Sequence, residues 1–193
     1  MNNSDKIILD LCGGTGSWSK PYVEAGYDVR LVTLPDNDVR TYTPPKNVYG
    51  ILAAPPCDQF SRAKTTGEPR DIVGAMEIVR ACMEIIWKSQ YKLEKPFSKK
   101  TKLKFWAMEN PHGMLKYYMG KPAFIFDPCD FGDPYRKETF LWGNFNEPRK
   151  NPIEPKKGEW DIHAKTGGKS AKTKELRSIT PQGFAKAFFK ANL

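Results

Sequence analysis

Cys57 follows directly on Pro55-Pro56, at the end of an apolar run, Val48-Tyr49-Gly50-Ile51-Leu52-Ala53. Glu109 closes a second such run, Phe105-Trp106-Ala107-Met108, and opens Glu109-Asn110-Pro111-His112-Gly113. A thiol and a carboxyl group are a nucleophile and a proton donor. Each also has a plainer reading, since free cysteines are often small buried hydrophobes and the Glu-Asn-Pro stretch suits a strand end or helix start. What would make them chemical is a shared position. Both runs read as buried strands, and ligands of open α/β sheets bind at the carboxyl ends of the strands.

The elements that must position them begin near the amino terminus. Residues 6–11 form a short apolar strand, followed by Cys12-Gly13-Gly14-Thr15-Gly16-Ser17 and a helix that ends at Gly26. Glycines there permit unusual backbone angles and close approach of a ligand to a helix start; a tight turn is the alternative. Residues 27–33 read as the next strand, which completes a strand-helix-strand unit of nucleotide-binding type. An acid closing that strand would hold ribose hydroxyls, but Thr33 stands in its place. Asp36 and Asp38 follow, as a cofactor contact or as an aspartate-rich turn.

After the Pro-Pro-Cys stretch, Arg62 to Arg70 is a basic loop that could close over a substrate. Asp71 caps a helix whose stripe of Ile72, Met76, Val79, Met83 and Ile86 reads as core packing. The lysine-dense residues 88–104 read as an exposed connection or a phosphate contact. Residues 123–126 and 139–142 are expected to pair antiparallel at one sheet edge. Residues 182–192 read as a helix with Phe184 and Phe188 on one face.

A chain of 193 residues suits one domain with a full core. A formal charge of +9 favours a polyanionic partner. Cys12, Cys57, Cys82 and Cys129 form no Cys-x-x-Cys pair, so neither a zinc cluster nor a disulfide framework is indicated. With no leader and no apolar run long enough for a bilayer, a soluble protein of the reducing cytoplasm is expected.

The order Asp-Leu-x-Gly-Gly-x-Gly, Pro-Pro-Cys-x-x-Phe-Ser, Glu-Asn-Pro and a late Arg-containing segment resembles the DNA (cytosine-5)-methyltransferase family, especially its short bacteriophage members. Arg177-Ser178-Ile179-Thr180-Pro181 is similar to the family's penultimate motif. The resemblance implies a class I S-adenosylmethionine-dependent α/β fold, a mainly parallel seven-stranded sheet with helices on both faces. It implies S-adenosyl-L-methionine as cofactor, with Asp10, Cys12, Gly13, Gly14 and Gly16 in its loop and Thr33, Asp38 and Pro55 around it. Cys57 matches the nucleophile, Glu109 the carboxyl that engages the base, and Arg136 the first arginine of the late motif. DNA is the implied substrate, with Ser61, Arg62, Lys64 and Lys137 as candidate contacts and no metal.

The chain departs from the family's pattern at Cys12, Thr33, Asp58 and Glu138. On this reading residues 1–142 are the catalytic domain. Residues 143–176 are a basic irregular extension where the family has a target recognition domain, and residues 177–193 a carboxyl-terminal helix that packs on the catalytic domain. Target selection is then expected to be relaxed, to use a very short site, or to depend on a specificity partner. The expected activity is methylation of cytosine carbon 5, protecting phage DNA from restriction. The alternatives are a weak or inactive relative that binds DNA or cofactor, and adenine-N6 methylation, which Ala54 and Cys57 speak against.

Overall fold

The computed structural model describes residues 2–62, 64, 67–91, 103–155 and 171–193. Its elements in chain order are β1 (Ile7–Leu11), α1 (Lys20–Glu24), β2 (Asp28–Val32), β3 (Val48–Ala53), α2 (Ile72–Gln90), β4 (Phe105–Pro111), α3 (Lys116–Met119), β5 (Phe124–Phe126), β6 (Thr139–Asn144), α4 (Ala171–Ser178) and α5 (Gln182–Ala191), with a 3-10 turn at Pro128–Phe131. The strands make one six-stranded sheet in the order β2-β1-β3-β4-β6-β5. β2, β1, β3 and β4 run parallel, whereas β6 is antiparallel to both of its neighbours, β4 and β5.

This sheet corrects the expected seven mainly parallel strands: among the described residues it has six and is mixed. Residues 33–47 account for the difference. They join β2 to β3 with three prolines and no helix, and a parallel strand needs a crossover of about a dozen or more residues. An extra strand with its own crossover has no room there, so β2 is left as the edge. The expected antiparallel pair at the other edge is present as β5 and β6.

Strand alternation divides the core into two layers. Leu9 and Leu11 of β1, Ile51 and Ala53 of β3 and Met108 of β4 pack with α2. Ile8, Leu52, Phe105 and Ala107 face the other way, against Trp18, Tyr22 and the Phe184 and Phe188 of α5. Phe184 stacks on Phe126 with ring centroids 4.0 Å apart, which fixes α5 to the β5 side of the sheet. Asp71 caps α2 by accepting a hydrogen bond from Gly74 N at 2.8 Å. The buried seam of α2 runs through Ala75, Val79, Cys82 and Ile86, so Ile72, Met76 and Met83 are half-buried along its margin and not at its centre.

Of the lysine-dense connection, residues 92–102 lie outside the described residues, as do residues 156–170 of the basic extension and residues 63, 65 and 66 of the loop after Cys57. No helix among the described residues is long and apolar enough to cross a membrane.

Candidate active site

The glycine loop leaves β1 with positive φ at Cys12 (56°), Gly14 (54°) and Gly16 (68°). Glycine accepts such angles without strain; cysteine does so less readily. Gly13 is required for a different reason, since a Cβ there would collide with the Asp10 carboxylate. Asp10 is fully buried, accepts a hydrogen bond from Ser19 Oγ at 2.5 Å through one oxygen, and has no partner for the other among the described residues. A bare loop with a buried carboxylate oxygen left over is what a small polar cofactor needs.

Burial pushes the Asp10 carboxyl up to about 6, against the hydrogen bonds from Ser19 that pull it down. Its ordinary value is about 3.9, so folding favours the protonated form. The corresponding stability is full below about pH 4 and is lost as pH rises through about 6, a change of roughly 3 kcal/mol. Asp10→Asn stays neutral at every pH. Urea unfolding of this variant is expected to show a smaller fall in stability between about pH 4 and 6 than the native chain shows, the part that remains coming from other raised carboxyls such as Glu109; identical pH profiles for the two would count against this assignment.

Cys57 sits beyond the carboxyl end of β3 in a turn held from several sides. Ala54 N donates to Leu11 O at 2.9 Å, and Asn110 Nδ2 donates to Pro55 O at 3.0 Å, tying the Pro-Pro step to β1 and β4. Phe60 N and Ser61 N both donate to Cys57 O, at 3.0 and 2.8 Å. Arg70 then gathers three carbonyls of the following loop, Gln59 O at 2.7 Å, Ser61 O at 3.0 Å and Lys64 O at 2.6 Å. Much of the loop's basic charge therefore serves to hold its shape.

Cys57, Glu109 and Lys137 line one pocket with Asp10, Cys12, Gly13, Gly14 and Pro55. Lys137 is held at both ends. Its N–H donates to Asp127 Oδ1 at 2.8 Å, and its ammonium donates to Arg177 O at 2.7 Å, in the last turn of α4. Burial pushes the Cys57 thiol up; Lys137 pulls it down, and Glu109 and Asp58 push it up further. Burial raises the Glu109 carboxyl too, with Lys137 opposing. Burial thus favours the neutral form of both the thiol and the carboxyl, and the pocket's lysine favours the anion of either.

The remaining sequence candidates divide. Arg136 is exposed, outside that lining, and acts electrostatically on Asp127 and Cys129. Thr33 and Asp38 lie outside the lining as well. Asp38 pairs with Arg40 at 2.5 Å, and hydrogen bonds from that residue hold its carboxyl down at about 2. Gly16 accepts at its carbonyl from Ser19 Oγ at 3.2 Å and supports the loop from behind. Ser61 forms an isolated bridge with Gly113, Arg62 is exposed, and Lys64 Nζ donates to Gln59 Oε1 at 3.0 Å. Cys12 is held below the usual thiol range by a hydrogen bond with Cys82. Glu138 is exposed and turned to His112, with Oε1 and Nδ1 2.5 Å apart.

Sequence reasoning missed two contributors. Trp18 joins the pocket wall, and its buried Nε1 has no partner among the described residues. Arg177, Ser178 and Thr180 close the pocket from the α4–α5 side, and Thr180 N donates to Ser17 Oγ of the glycine loop at 2.8 Å. The likeness of residues 177–181 to a family motif was the available signal.

No family model matches the chain, and no curated protein matches it. Among solved structures it is similar to a candidate DNA modification methyltransferase encoded within a prophage of E. coli, at 14% identity and a TM-score of 0.52, over 86% of this chain and 56% of that one. The fold is of the class I methyltransferase type. A DNMT2 variant from Spodoptera frugiperda aligns at 17% identity with a TM-score of 0.43, over 81% of this chain and 56% of that one. The chain spans a little over half the length of each.

Proposed function

We propose that this chain methylates carbon 5 of cytosine in DNA, with S-adenosyl-L-methionine as methyl donor and Cys57 as covalent nucleophile. The observation that carries the reading is the meeting of Cys57, Glu109 and Lys137 with the glycine loop in one pocket. The residues present fit the cofactor: Asp10 offers a buried acceptor and Gly13 and Gly14 a bare backbone. When bound, S-adenosylmethionine supplies an electrophilic methyl group.

The chain's own part is to make cytosine able to take it. Carbon 5 of cytosine is a poor nucleophile, and adding the Cys57 thiolate to carbon 6 gives it enamine character. That addition builds negative charge toward ring nitrogen 3, where a protonated Glu109 can donate. Lys137 stabilises the Cys57 thiolate before attack and the charge that then moves onto the ring. After methylation, loss of the carbon-5 proton to water expels Cys57 as thiolate, and ring nitrogen 3 returns its proton to Glu109. Lys137 takes the place that the sequence suggested for Arg136.

Such a mark would shield DNA from nucleases that recognise unmodified cytosine, the protective role that the phage-type resemblance implies. A partner supplying target recognition fits the same reading. The test is incubation of the chain with methyl-labelled S-adenosylmethionine and DNA containing 5-fluorocytosine. The fluorine cannot leave as a proton does, so a denaturation-stable protein–DNA adduct carrying label is expected. No adduct on any cytosine-containing DNA, with DNA binding intact, would assign the chain a binding role instead.

A further inference from the structure

Beside the turn that carries Cys57 stands an exposed aromatic helix that the methylation chemistry does not use. α3 holds Tyr117 and Tyr118, whose exposures are 69% and 50%. Burying a tyrosine ring is normally favourable, so two adjacent exposed rings just beyond the carboxyl end of β4 need a reason. The helix is latched to the Cys57 turn. Met114 N donates to Phe60 O at 2.8 Å, Ser61 bridges to Gly113, and the Tyr118 ring lies 6.4 Å from that of Phe60. Gly113 must lack a side chain, because a Cβ would collide with the Phe60 carbonyl.

The charge around the rings is of one sign. Residues 113–122 contain Lys116 and Lys121 and no acid. The Lys116 ammonium sits 5.4 Å from the Tyr117 ring centroid and 6.0 Å from that of Phe140. Among the described residues no carboxylate pairs with it. Exposed rings interleaved with unneutralised lysines suit a polyanion that also presents flat apolar faces, which is nucleic acid.

The geometry also selects the strandedness. An aromatic ring stacks only on a base that is not already covered by its neighbours, and a four-residue helix is too short to read a major groove. We infer that α3 is a stacking platform for unpaired bases flanking the target cytosine, so that the preferred substrate is single-stranded DNA or a locally opened duplex. This rests on the reading of the Cys57 pocket as a cytosine-methylating site, and names the form of DNA it takes. Such stacking tolerates any sequence, since every base has a face to stack.

The experiment measures binding of a labelled single-stranded oligonucleotide by fluorescence anisotropy, beside the same strand with abasic positions and the matching duplex. The native chain is expected to bind the intact strand at least about tenfold more tightly than the abasic one, which keeps the phosphates and loses the stacking faces. Tyr117→Ala with Tyr118→Ala should abolish that margin while the salt dependence set by phosphate contacts persists. Tyr117→Phe with Tyr118→Phe should retain it, which separates stacking from a folding defect. Equal affinity for intact and abasic strands, an unchanged margin in the alanine pair, or a preference for duplex would overturn the inference. Stacking without any 5-fluorocytosine adduct overturns the catalytic reading alone, and an adduct without stacking overturns the platform alone.

Discussion

Cys57→Ser is expected to lower methyl transfer to cytosine by at least about 10⁴-fold and to remove the 5-fluorocytosine adduct, as losses of a covalent nucleophile do elsewhere. The serine hydroxyl is nearly the same size, so the turn fixed by Phe60 N and Ser61 N should survive, but its proton is held far too tightly for attack. Cys57 itself starts at a disadvantage, because burial and the nearby Glu109 and Asp58 raise its thiol. Lys137 is the group that opposes them. Lys137→Ala is therefore expected to cost about 10²-fold in turnover, whereas Arg136→Ala, at an exposed position outside the pocket lining, should change it by less than about threefold. The measurement is single-turnover transfer of labelled methyl to a cytosine-containing oligonucleotide. The reverse ranking of the two basic residues would return the role to Arg136.

That choice between neighbours shows where the sequence is legible and where it is not. β3, the capped α2 and the position of Cys57 beyond a strand end follow from local signals: an apolar run, an Asp placed to accept from the N–H three residues on in the first turn of a helix, a Pro-Pro step. Glu109 at a strand end is legible for the same reason, although β4 continues to Pro111. Which of Arg136 and Lys137 enters the pocket is decided by distant partners. Asp127 takes the Lys137 N–H, Thr139 Oγ1 donates to its carbonyl at 2.7 Å, and α4 receives its ammonium. No period runs through that irregular segment, so no pattern could report its facing. The number of strands fails for a related reason. The resemblance carried a seven-stranded expectation onto a chain whose residues 33–47 lack the length for it, and a count of that one connection would have removed the strand.

The pH dependence of turnover tests the pairing of the two raised groups most directly. In the proposed mechanism attack needs Cys57 as thiolate and Glu109 as acid; both groups are raised, and since a carboxyl ordinarily ionises far below a thiol, Glu109 is expected to ionise first. The reactive form is then the minor one in which the proton sits on the carboxyl and the charge on the sulfur. Between the two ionisations its share is constant. In the native chain kcat/KM should accordingly rise through a carboxyl above its ordinary range, stay level, and fall where the thiol titrates. Glu109→Gln cannot give up a proton to the ring and should lose about 10²- to 10⁴-fold at neutral pH. Its remaining activity should follow the thiolate alone, so that the ascending limb moves from the carboxyl range to the titration of the thiol. If the ascending limb stays where it was, its carrier is some other group and Glu109 does not share a proton with Cys57. If activity barely falls, the base is engaged without an acid at position 109, and Lys137, which opposes the rise of both Cys57 and Glu109, becomes the group that answers the charge on the ring.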